Sequence, residues 1–83
     1  MKIAYSPKFL RSFEKLPRDI QDEFRAREAI FRVNTFDPRL RTHKLKGRPE
    51  WSFLVTHKIR VIFIFGKGFI LFVNVGDHSV YRK

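Results

Sequence analysis

Two runs in the second half of the chain, "RVIFIF" (Arg60–Phe65) and "FILFVNV" (69–75), are apolar on nearly every residue and are separated only by "GKG". A strand exposed on one face alternates between apolar and polar residues, whereas a run without alternation is a strand covered on both faces. The spacer has the length and glycine content of a hairpin turn. These runs predict two central strands, and the remaining residues must supply their cover. A chain of 83 residues holds one core, so residues 1–83 are read as a single domain.

The cover is legible at the other end of the chain. "KIAY" alternates enough for a short strand. In "SPKFLRSFEKLP", Ser6 stands where an N-cap belongs, and Pro7 takes the first helical position, where its missing N–H costs nothing. Phe9, Phe13 and Leu16 recur at helical spacing with Leu10 beside them, and Pro17 closes the segment. A second helix over roughly residues 18–35 carries Ile20, Phe24 and Phe31 on one stripe, flanked by Ile30. So short a loop between them predicts an antiparallel helical hairpin. "FDPRLRTHKLKGRPE" then breaks the periodicity and reads as a long connection. "WSFLVTH" (51–57) alternates, with Trp51, Phe53, Val55 and His57 on one face. The predicted order is β-α-α-β-β-β, an α+β fold with the helical hairpin on one face of a small, mainly antiparallel sheet.

The charge points to a partner. Eighteen Lys and Arg against eight Asp and Glu give +10, an imbalance that weakens the compact state and favours a polyanionic or acidic partner. Nucleic acid leads, an acidic protein follows, and a membrane surface is a distant third. There is no cysteine, which fits a reducing cytosol. No run approaches the ~18 apolar residues needed to span a membrane, and the N-terminal apolar run is too short for a signal peptide. A soluble, cytoplasmic protein is expected. His43, His57 and His78 lack chelate spacing, so no metal site is expected and no cofactor is implied. No phosphate-binding glycine loop or nucleophile elbow is present.

What remains is a set of cations and one or two groups able to move protons. Arg39, Arg41, Lys44, Lys46 and Arg48 crowd the long connection and read as a phosphate track rather than a merely solvated loop. Arg60 opens an apolar strand. It is either an edge cation with its head in water or a guanidinium held to grip a phosphate at two points. The chain ends on "GDHSVYRK", placing Asp77, His78, Tyr81, Arg82 and Lys83 just past the last strand. Asp77 is a turn former after Gly76. An imidazole such as His78 takes and returns a proton near neutral pH, or is simply an exposed tail residue. Tyr81 can stack on a base, donate a hydrogen bond, or pack on the sheet.

"LRTHKLKG", "WSFLVTHKIRVIF" and "ILFVNVGDHSVYR" resemble the RelE/ParE superfamily of bacterial and archaeal toxin–antitoxin toxins, over nearly the whole chain. The resemblance implies a compact β-α-α-β-β-β toxin of one of two kinds. RelE-like members enter the ribosome and cut messenger RNA without a metal; ParE-like members share the fold, lack the nuclease residues and poison DNA gyrase. Both are held silent by a cognate antitoxin, here expected to be acidic and to cover the basic loop or the sheet edge near Arg60. On this resemblance Arg60 holds the scissile phosphate, His78 transfers the proton with Tyr81 as second candidate, and Lys44 and Lys46, flanked by Arg41 and Arg48, belong to the basic RNA-binding loop. One departure stands out: many members carry a second basic residue two to three positions after the aromatic, where this chain has Leu54. The leading expectation is a ribosome-dependent endoribonuclease that inhibits translation. The rivals are a ParE-like gyrase inhibitor and a basic nucleic-acid-binding module without toxicity.

Overall fold

The two apolar runs form the hairpin that their composition predicts. They are β4 (Arg60–Phe65) and β5 (Phe69–Gly76), joined by a turn in which Gly68 takes φ +75°, a region that glycine enters without steric cost. The computed structural model describes residues 1–81; Arg82 and Lys83, the terminal cations of the tail, lie outside the described residues. Around the hairpin stand β1 (Lys2–Tyr5), β2 (His43–Lys44) and β3 (Trp51–Leu54). Together they make one five-stranded sheet in the order β1-β5-β4-β3-β2. β1 runs parallel to β5, and the other neighbouring pairs are antiparallel. The architecture is the expected α+β one, with one short strand added. No helix among the described residues is long and apolar enough to cross a membrane.

The helical hairpin is α1 (Pro7–Glu14) followed by α2 (Arg18–Val33). Ser6 caps α1 by accepting the amide of Phe9 at 2.9 Å, and its hydroxyl donates to the Val73 carbonyl at 2.7 Å, so one side chain starts the helix and fastens it to β5. The far end of α1 is closed from α2. The Gln21 side-chain amide donates to the carbonyls of Phe13 and Leu16 at the end of α1, tying the two helices together. Phe9, Phe24 and Phe31 then meet Phe53, Phe63 and Phe72, all six no more than 3% exposed. Phe31 sits among the sheet rings, 4.9 to 5.4 Å from the centroids of Phe53, Phe63 and Phe72. Truncating such a ring to alanine costs about 3–5 kcal/mol.

A bulge sets the geometry of the sheet's last stretch. Ile62 pairs with Asn74 but Phe63 pairs with Phe72, which leaves Val73 without an opposite residue. In a regular strand residues 72 and 75 would face opposite sides. With the extra residue, Phe72 and Val75 both enter the core, and Gly76 lands opposite Arg60.

Three expectations are corrected in detail. α2 ends at Val33 rather than near residue 35, because Asn34 leaves the helical conformation and its side chain accepts the Phe36 amide at 3.0 Å. The strand expected over 51–57 stops at Leu54. There the Thr56 hydroxyl accepts the amides of Lys58 and Ile59, and the Val55 amide bonds the Ile59 carbonyl, which turns the chain and leaves His57 exposed in the turn. The connection over 36–50 is not structureless: it contains β2 and a 3₁₀ turn at Pro38–Leu40. Asp37 caps that turn, and hydrogen bonds from the Arg39 side chain and then its backbone amide pull its carboxyl down to about 2.

Candidate active site

β3, β4 and β5 come level at one end of the sheet, where Leu54, Arg60 and Gly76 stand in one row. Val61 and Phe63 point into the helical core, so Arg60 and Ile62 occupy the opposite face. Arg60 is not an edge cation with its head in water; it is 8% exposed. One terminal nitrogen, Nη1, donates to the Tyr81 hydroxyl and the other, Nη2, to the His57 carbonyl, both at 3.0 Å. Its Nε is buried and has no hydrogen-bond partner among the described residues. The guanidinium carbon lies 5.4 Å from the Tyr81 ring centroid, within cation–π range.

The cover over Arg60 is a 3₁₀ turn, His78–Tyr81, that follows β5. Gly76 gives it room: a Cβ there would come within 2.8 Å of Val80 Cγ1. Asp77 forms the turn as its sequence predicts, accepting the Ser79 amide at 2.9 Å. Three contacts then fasten Tyr81. Its hydroxyl accepts from Arg60 and shares a 3.1 Å hydrogen bond with the fully buried Ser52 hydroxyl, and its carbonyl accepts from Arg48 Nη1 at 2.7 Å. Arg48 is itself steered by Glu50 at 3.1 Å. His78 stands exposed on the same turn, its ring 5.6 Å from that of Tyr81. An open recess of about 420 Å³ lies beside the turn against α1, lined by Lys8, Ser12, Lys15, Asn74, Asp77 and Ser79 among others.

Solved structures of the same shape are known. The chain superimposes on YafQ from E. coli with a TM-score of 0.80 at 14% identity, covering 99% of this chain and 98% of that one. A YoeB/ParE toxin from Agrobacterium tumefaciens gives 0.78 at 16%, over 94% and 99% of the two chains. An archaeal RelE–RelB complex from Pyrococcus horikoshii gives 0.75 at 13%, over 94% of each chain. The chain has the RelE/ParE fold. Neither a protein-family model nor a curated protein sequence matches it, so the likeness is one of fold, and function is argued from the site.

On the RelE/ParE frame the residues singled out in the sequence fall into two groups. Arg60, Tyr81, His78 and Arg48 converge on the face of the sheet away from the helices. Lys44, the register partner of Trp51 and so on the helical side of the sheet, reaches them only through a 2.6 Å hydrogen bond to the Arg48 carbonyl. Lys46 and Arg41 are exposed on the connection. Arg41 takes φ +51°, unusual for a residue with a side chain, and its carbonyl lies 2.9 Å from the His43 ring.

Two members of the site escape a sequence reading. Ser52 is buried at the centre of the hydroxyl network, and its signal is a polar residue on a strand whose neighbours are large and apolar. His43 pairs in register with Ser52, which sets it on the same face as Tyr81. Its signal is the histidine inside a basic run.

Proposed function

We propose that the chain is the toxin of a toxin–antitoxin pair and that it cuts messenger RNA bound to the ribosome. The observation that carries this reading is a permanent cation buried under a tyrosine, with an exposed histidine on the same short turn. A buried N–H without a partner costs about 1–3 kcal/mol, and burying a guanidinium without a carboxylate partner adds to that. A fold tolerates such a group where its charge has work to do.

The chemistry that fits is attack of the ribose 2′-hydroxyl on the adjacent phosphorus. A bond forms from the 2′-oxygen to phosphorus, and the bond from phosphorus to the 5′-oxygen breaks. One group removes the 2′-proton and another protonates the leaving 5′-oxygen. His78 is exposed and serves as one of these; Tyr81 is the second candidate. Arg60 supplies fixed positive charge where the phosphorane develops. Lys44, Lys46 and Arg41 hold flanking phosphates. Arg48 contributes by fixing the Tyr81 carbonyl, and the ribosome supplies much of the positioning. DNA lacks the nucleophile and stays intact. The similar structures include a DinJ–YafQ toxin–antitoxin complex and RelB–RelE complexes, which supports an antitoxin as partner here; the +10 charge of this chain is what favours an acidic one.

One observation favours the gyrase reading: Leu54 is the register partner of Arg60, so the second cation that many family members carry is missing beside it. Primer extension on a defined messenger RNA, with and without translating ribosomes, decides between them. Cuts that need ribosomes and fall by about 10²-fold or more in Arg60→Ala and His78→Ala establish the nuclease. Absence of cuts with wild-type protein, together with inhibition of DNA supercoiling, establishes the rival.

A further inference from the structure

The last strand carries one polar side chain in an otherwise apolar run. Asn74 follows Val73, the residue that the bulge leaves without an opposite number, and bulges re-aim side chains next to active sites. Its Oδ1 accepts twice, from the Ser12 hydroxyl at 2.7 Å and from the Val75 amide at 2.9 Å. A backbone N–H can only donate, so the oxygen end of the side chain is fixed. The other end, Nδ2, carries two donors and has no hydrogen-bond partner among the described residues. Asn74 lines the open recess of about 420 Å³ between α1 and the turn after β5.

Two cations flank this amide. Lys8, Ser12 and Lys15 follow one another at helical spacing along α1 and its C-cap, and all three line the recess. Lys8 and Lys15 are exposed, and neither forms an ion pair among the described residues. Lys8 stands in the first turn of α1, where the helix dipole disfavours a cation and no acidic residue offsets it. Helix formation does not ask for a lysine there. At 1.5 Å per residue the two lysines are roughly 10 Å apart along the axis. That spacing suits successive phosphates of an extended strand better than a lone anion. The carboxylate on the wall, Asp77, is engaged in forming the turn, where it accepts the Ser79 amide. Ser79 and Val80 border the recess, while Tyr81 of the same turn covers Arg60. The recess and the buried guanidinium thus lie on two sides of one short turn, with His78 exposed on it.

We propose that this recess is an RNA subsite: Lys8, Lys15 and Nδ2 of Asn74 hold backbone phosphates of the strand whose scissile phosphate lies at Arg60. The proposal deepens the nuclease reading and rests on it for the course of the strand. These three residues position the strand and take no part in the proton transfers.

The test is fluorescence anisotropy of a labelled single-stranded RNA of about 12 nucleotides, 2′-O-methylated so that it cannot be cut, at several salt concentrations. It compares wild type, Lys8→Gln with Lys15→Gln, Asn74→Asp, and Lys2→Gln with Lys67→Gln. The last pair removes the same charge from exposed lysines at the other end of β5, as a control. Asn74→Asp keeps an acceptor for Ser12 and Val75 and replaces only the two donors, so α1 stays fastened. Affinity falls about tenfold in the Lys8 and Lys15 variant, and the slope of log K against log salt drops by about 1. Asn74→Asp also loses about tenfold, and the control stays within about threefold of wild type. Equal losses in the two double variants overturn the proposal, since the lysines would then act through net charge alone. Wild-type affinity in Asn74→Asp overturns it too, as does a wild type that does not bind the RNA. The product of the adjacent reading frame is titrated into the same proteins. Recess variants that lose this partner and keep RNA make the recess a protein seat, which also overturns the proposal. Primer extension on ribosome-bound messenger RNA tests the parent reading separately: a wild type that binds RNA in the expected pattern and cuts nothing overturns the nuclease and leaves the subsite standing.

Discussion

β4 breaks the ordinary rule of burial at both ends, in opposite senses. Arg60 opens it as a buried cation, and Phe65 closes it as an exposed ring. Between them Val61, Ile62 and Phe63 are buried as a central strand requires. The two ends are also held by different forces. Around Arg60 the contacts are directional: Tyr81, Ser52, Arg48 and the His57 carbonyl leave each group essentially one good position. Around Phe65 they are ring contacts that tolerate sliding and rotation. Chemistry needs the first kind of surface, since misplacement of a reacting group by an ångström is costly. Capture of a partner tolerates the second.

The largest effect that would break this contrast comes from Arg60→Met. A buried charge replaced by an apolar side chain of similar length leaves stability within about 1 kcal/mol or raises it, while cutting falls by about 10²–10³-fold. Thermal unfolding and primer extension on the same preparation check both halves. A collapse of stability with much of the activity retained would make Arg60 a structural strut. A middle effect comes from Gly76→Ala. The added methyl meets Val80, so the turn lifts or the strand shifts, costing about 1–3 kcal/mol. Denaturant unfolding measures the loss, and faster hydrogen exchange at the Ser79 and Val80 amides locates it. Unchanged exchange there would detach the glycine from the turn. The smallest effect lies beside Phe36 at the apolar end. Asp37 has its carboxyl lowered to about 2 from an ordinary 3.8. Its contribution is therefore complete above the unfolded value and fades as pH falls through the folded one. The stability difference between wild type and Asp37→Asn, measured at about pH 5 and about pH 2, should shrink on acidification; a constant difference would mean the carboxylate pair does nothing for the turn.

The central hairpin, the capped first helix and the aromatic stripes of both helices were legible because each rests on a local pattern: a run without alternation, a serine before a proline, phenylalanines at helical spacing. β2 was not, since two residues carry no pattern and owe their conformation to pairing with Trp51 and Ser52. The bulge at Val73 likewise leaves no local trace; it follows from the demand that Phe72 and Val75 both reach the core. At the site, the presence of Arg60 and His78 could be read, but the burial of Arg60 could not. It depends on Tyr81 folding back 21 residues later in sequence and on a serine in a third strand.

The parallel pairing of β1 with β5 has a consequence in time. Lys2–Tyr5 find their partners at Phe69–Phe72, across almost the whole described chain, so this part of the sheet closes only when its most distant segments meet. Contacts of such separation slow folding. The apolar hairpin pairs neighbours in sequence, so we expect it to form first, with its flank open until β1 arrives. During that interval the chain presents an uncovered hydrophobic strand to anything nearby, and a partner already made and waiting would shield it from aggregation before it had any activity to restrain.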